Sequence, residues 1–244
     1  MTLDHNSIRF LPCGDTAFSM EFGKEIDRAV TARVIALYKK VGEEAVEGVL
    51  EMIPAFRSLL VLFDPERIHP QDLQDRLLRL LDETEFDHLT GRRWRLPVCY
   101  GGECGPDLAE VARDTGLSED EVWQLHAGQS YFVYMIGFLP GYPYMGDIVE
   151  PIRVPRRPNP RIRVPRGSVA IAQAMTAIYS LESPGGWQLI GRTPVPLFDP
   201  KAERAVLLSP GDTVTFEPIS ARDFVAIERE FAAGTRVIEA EDAA

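Results

Sequence analysis

The sequence predicts an α+β chain in two parts, a small N-terminal α+β domain followed by a domain built on a closed or nearly closed β structure. Three observations predict it. A strand-strand-helix-strand-strand-helix order is readable up to Leu81. The stretch from Asp82 to Arg93 is polar and charged, as a boundary would be. After Gly128, short aromatic and β-branched runs are separated by proline and glycine every few residues. The expected limits are 1–85 for the first domain and 93–231 for the second, with 232–244 as a loose tail.

In the first part, Ile8 to Phe22 reads as two short strands around the turn-type cluster PCGD. Ala29, Ala32, Val34, Ile35, Leu37, Tyr38 and Val41 recur at helical spacing, so a helix is expected over Asp27 to Val41. Val49–Ile53 and Ser58–Phe63 read as a second strand pair, broken at Pro54. His69-Pro70 opens a second helix carrying a leucine stripe.

In the second part, Trp94–Tyr100 reads as a strand and Pro106 to Thr115 as a helix closed by Gly116. Ser118-Glu-Asp-Glu121 is a capping-type start for a short helix to Ala127. Strands are expected at Tyr131–Phe138, across Gly167–Tyr179, and at Trp187–Ile190, Ala205–Leu208 and Val214–Phe216. Arg222–Phe231 reads as a terminal helix.

Charge narrows the function. A net charge of −11 argues against a nucleic-acid binder. No apolar run reaches the ~20 residues of a membrane span, and the first ten residues are not leader-like. Three cysteines in such a chain predict reduced thiols and a cytoplasmic protein, and their spacing does not fit a metal site. Against this acidic background, Arg153, Arg156, Arg157, Arg161, Arg163 and Arg166 lie within fourteen residues free of acids. Pro155, Pro158, Pro160 and Pro165 hold that strip extended. In regular extended geometry Arg161 and Arg163 share one side, and Ile162 and Val164 the other. A guanidinium fork suits carboxylate or phosphate. The strip is thus either an anion or acidic-partner site, or a solvated edge whose charges block strand pairing.

Two further segments stand out. GFLPGYPYMG, residues 137–146, is either a stiff connection with its aromatics packed inward or a rim of rings at a pocket mouth. Ser183-Pro-Gly-Gly-Trp187 fits a type II turn, and it is either a plain hairpin pinned by Trp187 or a site where adjacent glycines turn backbone N–H groups onto an anion. There is no G-x-x-x-x-G-K-[S/T] phosphate loop, no G-x-G-x-x-G and no G-x-S-x-G elbow. His126, near a helix end, is either a packing residue or a general base. Asp107, Asp147 and Glu182 are acids near the segment.

Taken together, GFLPGYPYMG, VPRRPNPRIRVPRGSVAIA and SPGGWQLIGRTPVPLFDP resemble the KipI/PxpB family, also labelled allophanate hydrolase subunit 1. VCYGGECGPDL followed by a helix and His126, and the N-terminal GDTAFSMEFG, fit the same pattern. The resemblance implies a small α+β domain followed by a cyclophilin-like β-barrel, a label of fold and not of prolyl isomerase activity. It implies the B component of an ATP-dependent 5-oxoprolinase, working with an A-like component and a C-like (KipA/PxpC-type) component to open a small cyclic amide. ATP would be bound with or by one of these partners. It also carries two alternatives, a regulatory protein that caps a sensor histidine kinase and a component of a urea- or allophanate-processing enzyme. Placed on this frame, Arg156, Arg157, Arg161 and Arg166 would hold carboxylate or phosphate oxygens. Gly185 and Gly186 would donate backbone hydrogen bonds, Tyr144 and Trp187 would shape a wall, and His126 would accept a proton. Where the family reads Gln-Thr-Gly-Ile-Tyr-Pro, this chain has Met175, Thr176, Ala177, Ile178, Tyr179 and Ser180. Met175 lacks the amide that could orient a ligand, Ala177 restricts the backbone where the family has glycine, and Thr176 is among the expected binding residues.

Overall fold

A computed structural model describes residues 8–84 and 91–241. The chain forms two compact units, 1–90 and 91–244. Residues 85–90, inside the expected boundary, lie outside the described residues, as do 242–244 of the expected tail.

The first unit is a four-stranded antiparallel sheet with two helices. Its strands are β1 (Arg9–Pro12), β2 (Ala17–Glu21), β3 (Val49–Pro54) and β4 (Ser58–Phe63), in the order β1-β2-β4-β3. The side-chain period of 2 along β2 and β4 buries Phe18, Met20, Leu59, Val61 and Phe63. Helix α1 (Arg28–Glu44) packs on β3 and β4 and buries Val34, Leu37 and Val41, and helix α2 (Pro70–Asp82) packs against α1 and buries Leu73, Leu77 and Leu81. Asp27 caps α1 by accepting from the Ala29 and Val30 amides, and Pro70 sits in the first turn of α2.

The second unit is a closed seven-stranded barrel. Its strands are β5 (Arg93–Tyr100), β6 (Ser130–Ile136), β7 (Pro143–Gly146), β9 (Ser168–Ala172), β10 (Met175–Ile178), β12 (Gln188–Arg192) and β13 (Thr213–Pro218). They run β10-β7-β6-β13-β5-β12-β9 and close on β10, with only β13 and β5 parallel. A two-stranded ribbon, β8 (Arg161–Val164) with β11 (Ser183–Gly185), stands apart from the closed sheet. Helices α3 (Leu108–Thr115), α4 (Glu119–Ala127) and α5 (Ala221–Ala232) complete the unit. The expected capping box is present, with Ser118 and Glu121 bonding each other's backbone amides. No helix among the described residues is long and apolar enough to cross a membrane.

Alternation sorts the barrel side chains into two cores. Leu96, Val98, Val133, Met145, Ile171, Ile178, Ile190 and Val214 fill the interior. Ala170, Ala177 and Leu189, from the opposite faces of β9, β10 and β12, form a second cluster with Tyr142, Val164 and Tyr179, which follows β10. The ribbon contributes Val164 to this cluster, so it covers the outer face of the barrel there.

Several local expectations change. Gly167–Tyr179 is a hairpin of two strands, because Gln173 adopts a left-handed φ of 53° that reverses the chain between β9 and β10. Pro143–Gly146, expected as loop, pairs with β6 and β10. Ala205–Leu208 makes only the isolated bridge Phe198↔Val206. The tail expected to be loose instead returns to β5. The Glu241 amide donates to Arg93 O at 2.8 Å, and Ile238 and Ala240 pack on the barrel core.

Candidate functional site

The largest departure from regular alternation lies in the ribbon and decides which side chains meet. Ser183 pairs with Val164 and Gly185 with Arg161, so β8 holds one residue more than β11 between the two pairs. This bulge turns Arg161 and Val164 to the covered side. Ile162, expected to share a side with Val164, is 90% exposed.

Gly185 and Gly186 do not form the expected type II turn. Neither has a positive φ, and Gly185 lies in a strand. Glycine is required at 185 by packing. A Cβ there would lie 2.1 Å from Tyr179 Oη. Gly186 accepts from the Arg157 amide at 2.7 Å through its carbonyl.

Between the ribbon and the outer barrel face lies a cleft of about 560 Å³. Its walls are Tyr142, Tyr144, Tyr179 and Trp187, with Phe138 at the rim and Gly185 and Gly186 on the ribbon side. The Trp187 and Tyr144 rings are 6.0 Å apart at 62°, and the Tyr142 and Tyr179 rings 5.2 Å apart at 90°. Phe138 is 63% exposed with a left-handed φ of 67°, an unusual conformation for a bulky residue. Thus the 137–146 segment does both things envisaged for it, packing Tyr142 inward and holding Phe138 at the mouth. Burial raises the Tyr142, Tyr144 and Tyr179 hydroxyl pKa values, so the phenols stay protonated, and the Tyr142 and Tyr179 hydroxyls bond each other.

Of the arginines in the strip, Arg156 is the one that lines this cleft. Its Nη2 lies 3.6 Å from where a Gly186 Cβ would stand, and no carboxylate among the described residues pairs with it. The cleft therefore presents one available guanidinium among aromatic walls, which suits a small ring bearing a carboxylate.

The other expected site residues are placed elsewhere. Arg157 Nη1 binds Asp107 at 3.1 Å, Glu110 at 2.9 Å and Gln188 Oε1 at 3.2 Å. Arg161 donates to the same Asp107 oxygen. Both guanidiniums are thus engaged by an acid 50 or more positions away in sequence. Arg166 lines a separate groove beside α5. Arg163 pairs with Glu182 at 2.7 Å on the surface.

His126 is fully buried in the barrel interior. It stacks on Phe216 with ring centroids 4.8 Å apart, and bonds Tyr100 Oη at 2.8 Å and Thr176 Oγ1 at 2.9 Å. Burial lowers its pKa to about 3, so it is neutral and cut off from the cleft. Thr176 points inward beside it, because Met175 and Ala177 take the outer face of β10. Neither residue can touch a ligand in the cleft. Sequence reasoning also passed over Tyr142 and Tyr179. Tyr142 could have been read from its period-2 relation to Tyr144, and Tyr179 from its place two residues beyond Ala177.

Comparison with known proteins gives concordant results. A family model described as "Carboxyltransferase domain, subdomain C and D" matches residues 8–208. A Bacillus subtilis protein named as the B subunit of 5-oxoprolinase is 41% identical over 231 residues, covering 89% of this chain and 95% of that one. The crystal structure of TTHA0988 superposes with a TM-score of 0.74 at 38% identity, over 84% of this chain but only 40% of the longer one. A Saccharomyces cerevisiae urea amidolyase is 27% identical over 248 residues, which is 86% of this chain and 13% of that protein.

Proposed function

Because the chain belongs to the KipI/PxpB family, among the proteins matched by the carboxyltransferase subdomain C and D model, we propose that it is the B component of an ATP-dependent 5-oxoprolinase. In this reading it opens 5-oxoproline to glutamate together with an A-like component and a C-like (KipA/PxpC-type) component. The observation that carries the reading is the 41% identity to a B subunit of 5-oxoprolinase over nearly the full length of both chains. With the lower identity to urea amidolyase, 27%, a urea-processing role is the second reading.

The cleft supports the same assignment. 5-Oxoproline is a flat lactam bearing a carboxylate. Arg156 would take the carboxylate in a charge-assisted pair, and Trp187 and Tyr144 would hold the ring. The Tyr179 hydroxyl, which accepts from Tyr142 and keeps its own proton, would donate to the lactam carbonyl. Enclosure between ribbon and barrel would keep bulk water from these bonds.

ATP supplies the free energy of ring opening when bound, and we assign it to the partner chains. This chain has no phosphate loop, and its cleft offers a single guanidinium without an acid partner among the described residues. TTHA0988 and urea amidolyase hold the matching region within longer chains. That supports a chain that works beside further domains and is silent alone.

Reconstitution tests the proposal. The three components, purified singly and then mixed, are assayed for glutamate release from 5-oxoproline with ATP. Activity confined to the three-part mixture is the expected result. Turnover by this chain alone, or silence in a mixture proven to assemble, would contradict it.

A further inference from the structure

Arg156 is carried by a strap, residues 153–160, that has little backbone bonding of its own. Pro155, Pro158 and Pro160 have no N–H to give. The strap's backbone ties are the Arg153 amide to Glu150 O at 3.0 Å, the Arg157 amide to Gly186 O at 2.7 Å, and Val154 O accepting from the Gln173 amide at 2.6 Å. Beyond that tie at Arg157, its far end is held by one buried carboxylate from another element, beside Glu110 and Gln188, which also bind the Arg157 guanidinium.

That carboxylate is Asp107, only 2% exposed. It stands at the N-cap position of α3, yet makes no capping bond to that helix. Its Oδ2 accepts from the Leu189 amide at 2.6 Å, while the Asp107 amide donates to Leu189 O at 2.9 Å, which fastens it to β12. Its Oδ1 receives Arg157 from the strap and Arg161 from the ribbon. One carboxylate therefore joins the barrel wall, the strap and the ribbon, the three elements that enclose the cleft. Arg157 Nε and Arg161 Nη1 are buried without a hydrogen-bond partner among the described residues, and a buried ion pair is a weak source of stability in any case. A capping side chain diverted from its helix to bind three other elements at once fits a cluster whose role is placement.

We infer that Asp107 is the positioning residue for Arg156, clamping the strap through Arg157 so that the neighbouring guanidinium is held over the cleft. The inference rests on the proposed reading of the cleft as a carboxylate site. Asp107 touches no ligand in this account and acts only through the strap.

A double-mutant cycle in the reconstituted three-component enzyme tests it. Asp107→Asn should raise KM for 5-oxoproline by roughly tenfold with kcat within about threefold. Arg156→Ala should raise KM at least as much, and the double variant should be no worse than Arg156→Ala alone. Independent, multiplicative losses would overturn the inference, as would an unchanged KM in Asp107→Asn. If Asp107→Asn does not fold, Arg157→Gln tests the same clamp and should give the same pattern. Hydrogen exchange on this chain alone separates the inference from the proposed function. Faster exchange of the Arg157 and Arg161 amides in Asp107→Asn, with the first unit unchanged, supports the clamp even where the mixture is inactive. Unchanged exchange at those amides overturns it whatever the enzyme does.

Discussion

The Nε2 of His126 lies 2.9 Å from the Thr176 hydroxyl, and that hydroxyl in turn lies 3.1 Å from the Ala170 carbonyl. A carbonyl can only accept, so Thr176 spends its proton there and must accept from His126. His126 therefore carries its proton on Nε2, and Nδ1 accepts from the Tyr100 hydroxyl at 2.8 Å. A neutral imidazole thus satisfies both of its ring nitrogens in this relay.

Acid should therefore destabilise the second unit through His126. In the unfolded chain an ordinary histidine takes up a proton near pH 6.5, whereas the folded one stays neutral down to about 3. The unfolded state binds more protons throughout that window, so stability falls as pH drops from 6.5 toward 3. The histidine contribution lost between pH 7 and pH 5.5 is about 1 kcal/mol. Urea unfolding across this range should show a shallower pH dependence in His126→Gln than in the native sequence. Parallel dependences would refute the buried neutral state.

Thr176→Val should cost about 1–3 kcal/mol, since the His126 N–H loses its acceptor in a buried setting. Thermal unfolding measures this directly. Because Thr176 faces the interior, the variant at permissive temperature should retain the native KM for substrate. A large KM change without a stability loss would return Thr176 to the ligand.

Much of this architecture was legible in the sequence, and the reasons differ by element. The leucine stripe of α2 and the Ser118–Glu121 box are local signals, and both appear in the structure. The proline and glycine punctuation after Gly128 predicts short strands, and a closed barrel contains them. The arginine strip was visible as a composition, but the arginine that faces the cleft was not. That choice depends on a bulge in β8 and on Asp107, which meets Arg157 across 50 residues of sequence. His126 was readable as either a base or a packing residue, and only the closure of the barrel around it decides. Ser183–Trp187 has turn chemistry, yet its Gly185 serves close packing against Tyr179.

Gly185→Ala tests that last point. The added methyl must displace the buried Tyr179 ring, an overpacking that costs about 1–3 kcal/mol. The same change at Gly42 in α1, where a Cβ meets nothing within 4 Å, should be neutral or stabilise by up to about 1 kcal/mol. Melting curves should show a lowered midpoint for Gly185→Ala and no lowering for Gly42→Ala. A Gly185→Ala protein as stable as the native one would show that the ribbon is free to move away from the barrel.

The claim that the cleft takes the substrate carboxylate through Arg156 is tested most directly by one comparison in the assembled three-component enzyme. Glutamate release is measured against 5-oxoproline concentration for the native chain, Arg156→Ala and Arg166→Ala, the last lying in a separate groove. Loss of a charge-assisted bond worth about 1.5–3 kcal/mol predicts a KM raised by roughly tenfold or more for Arg156→Ala. Arg166→Ala should match the native enzyme. Equal KM values for Arg156→Ala and the native chain would contradict the account.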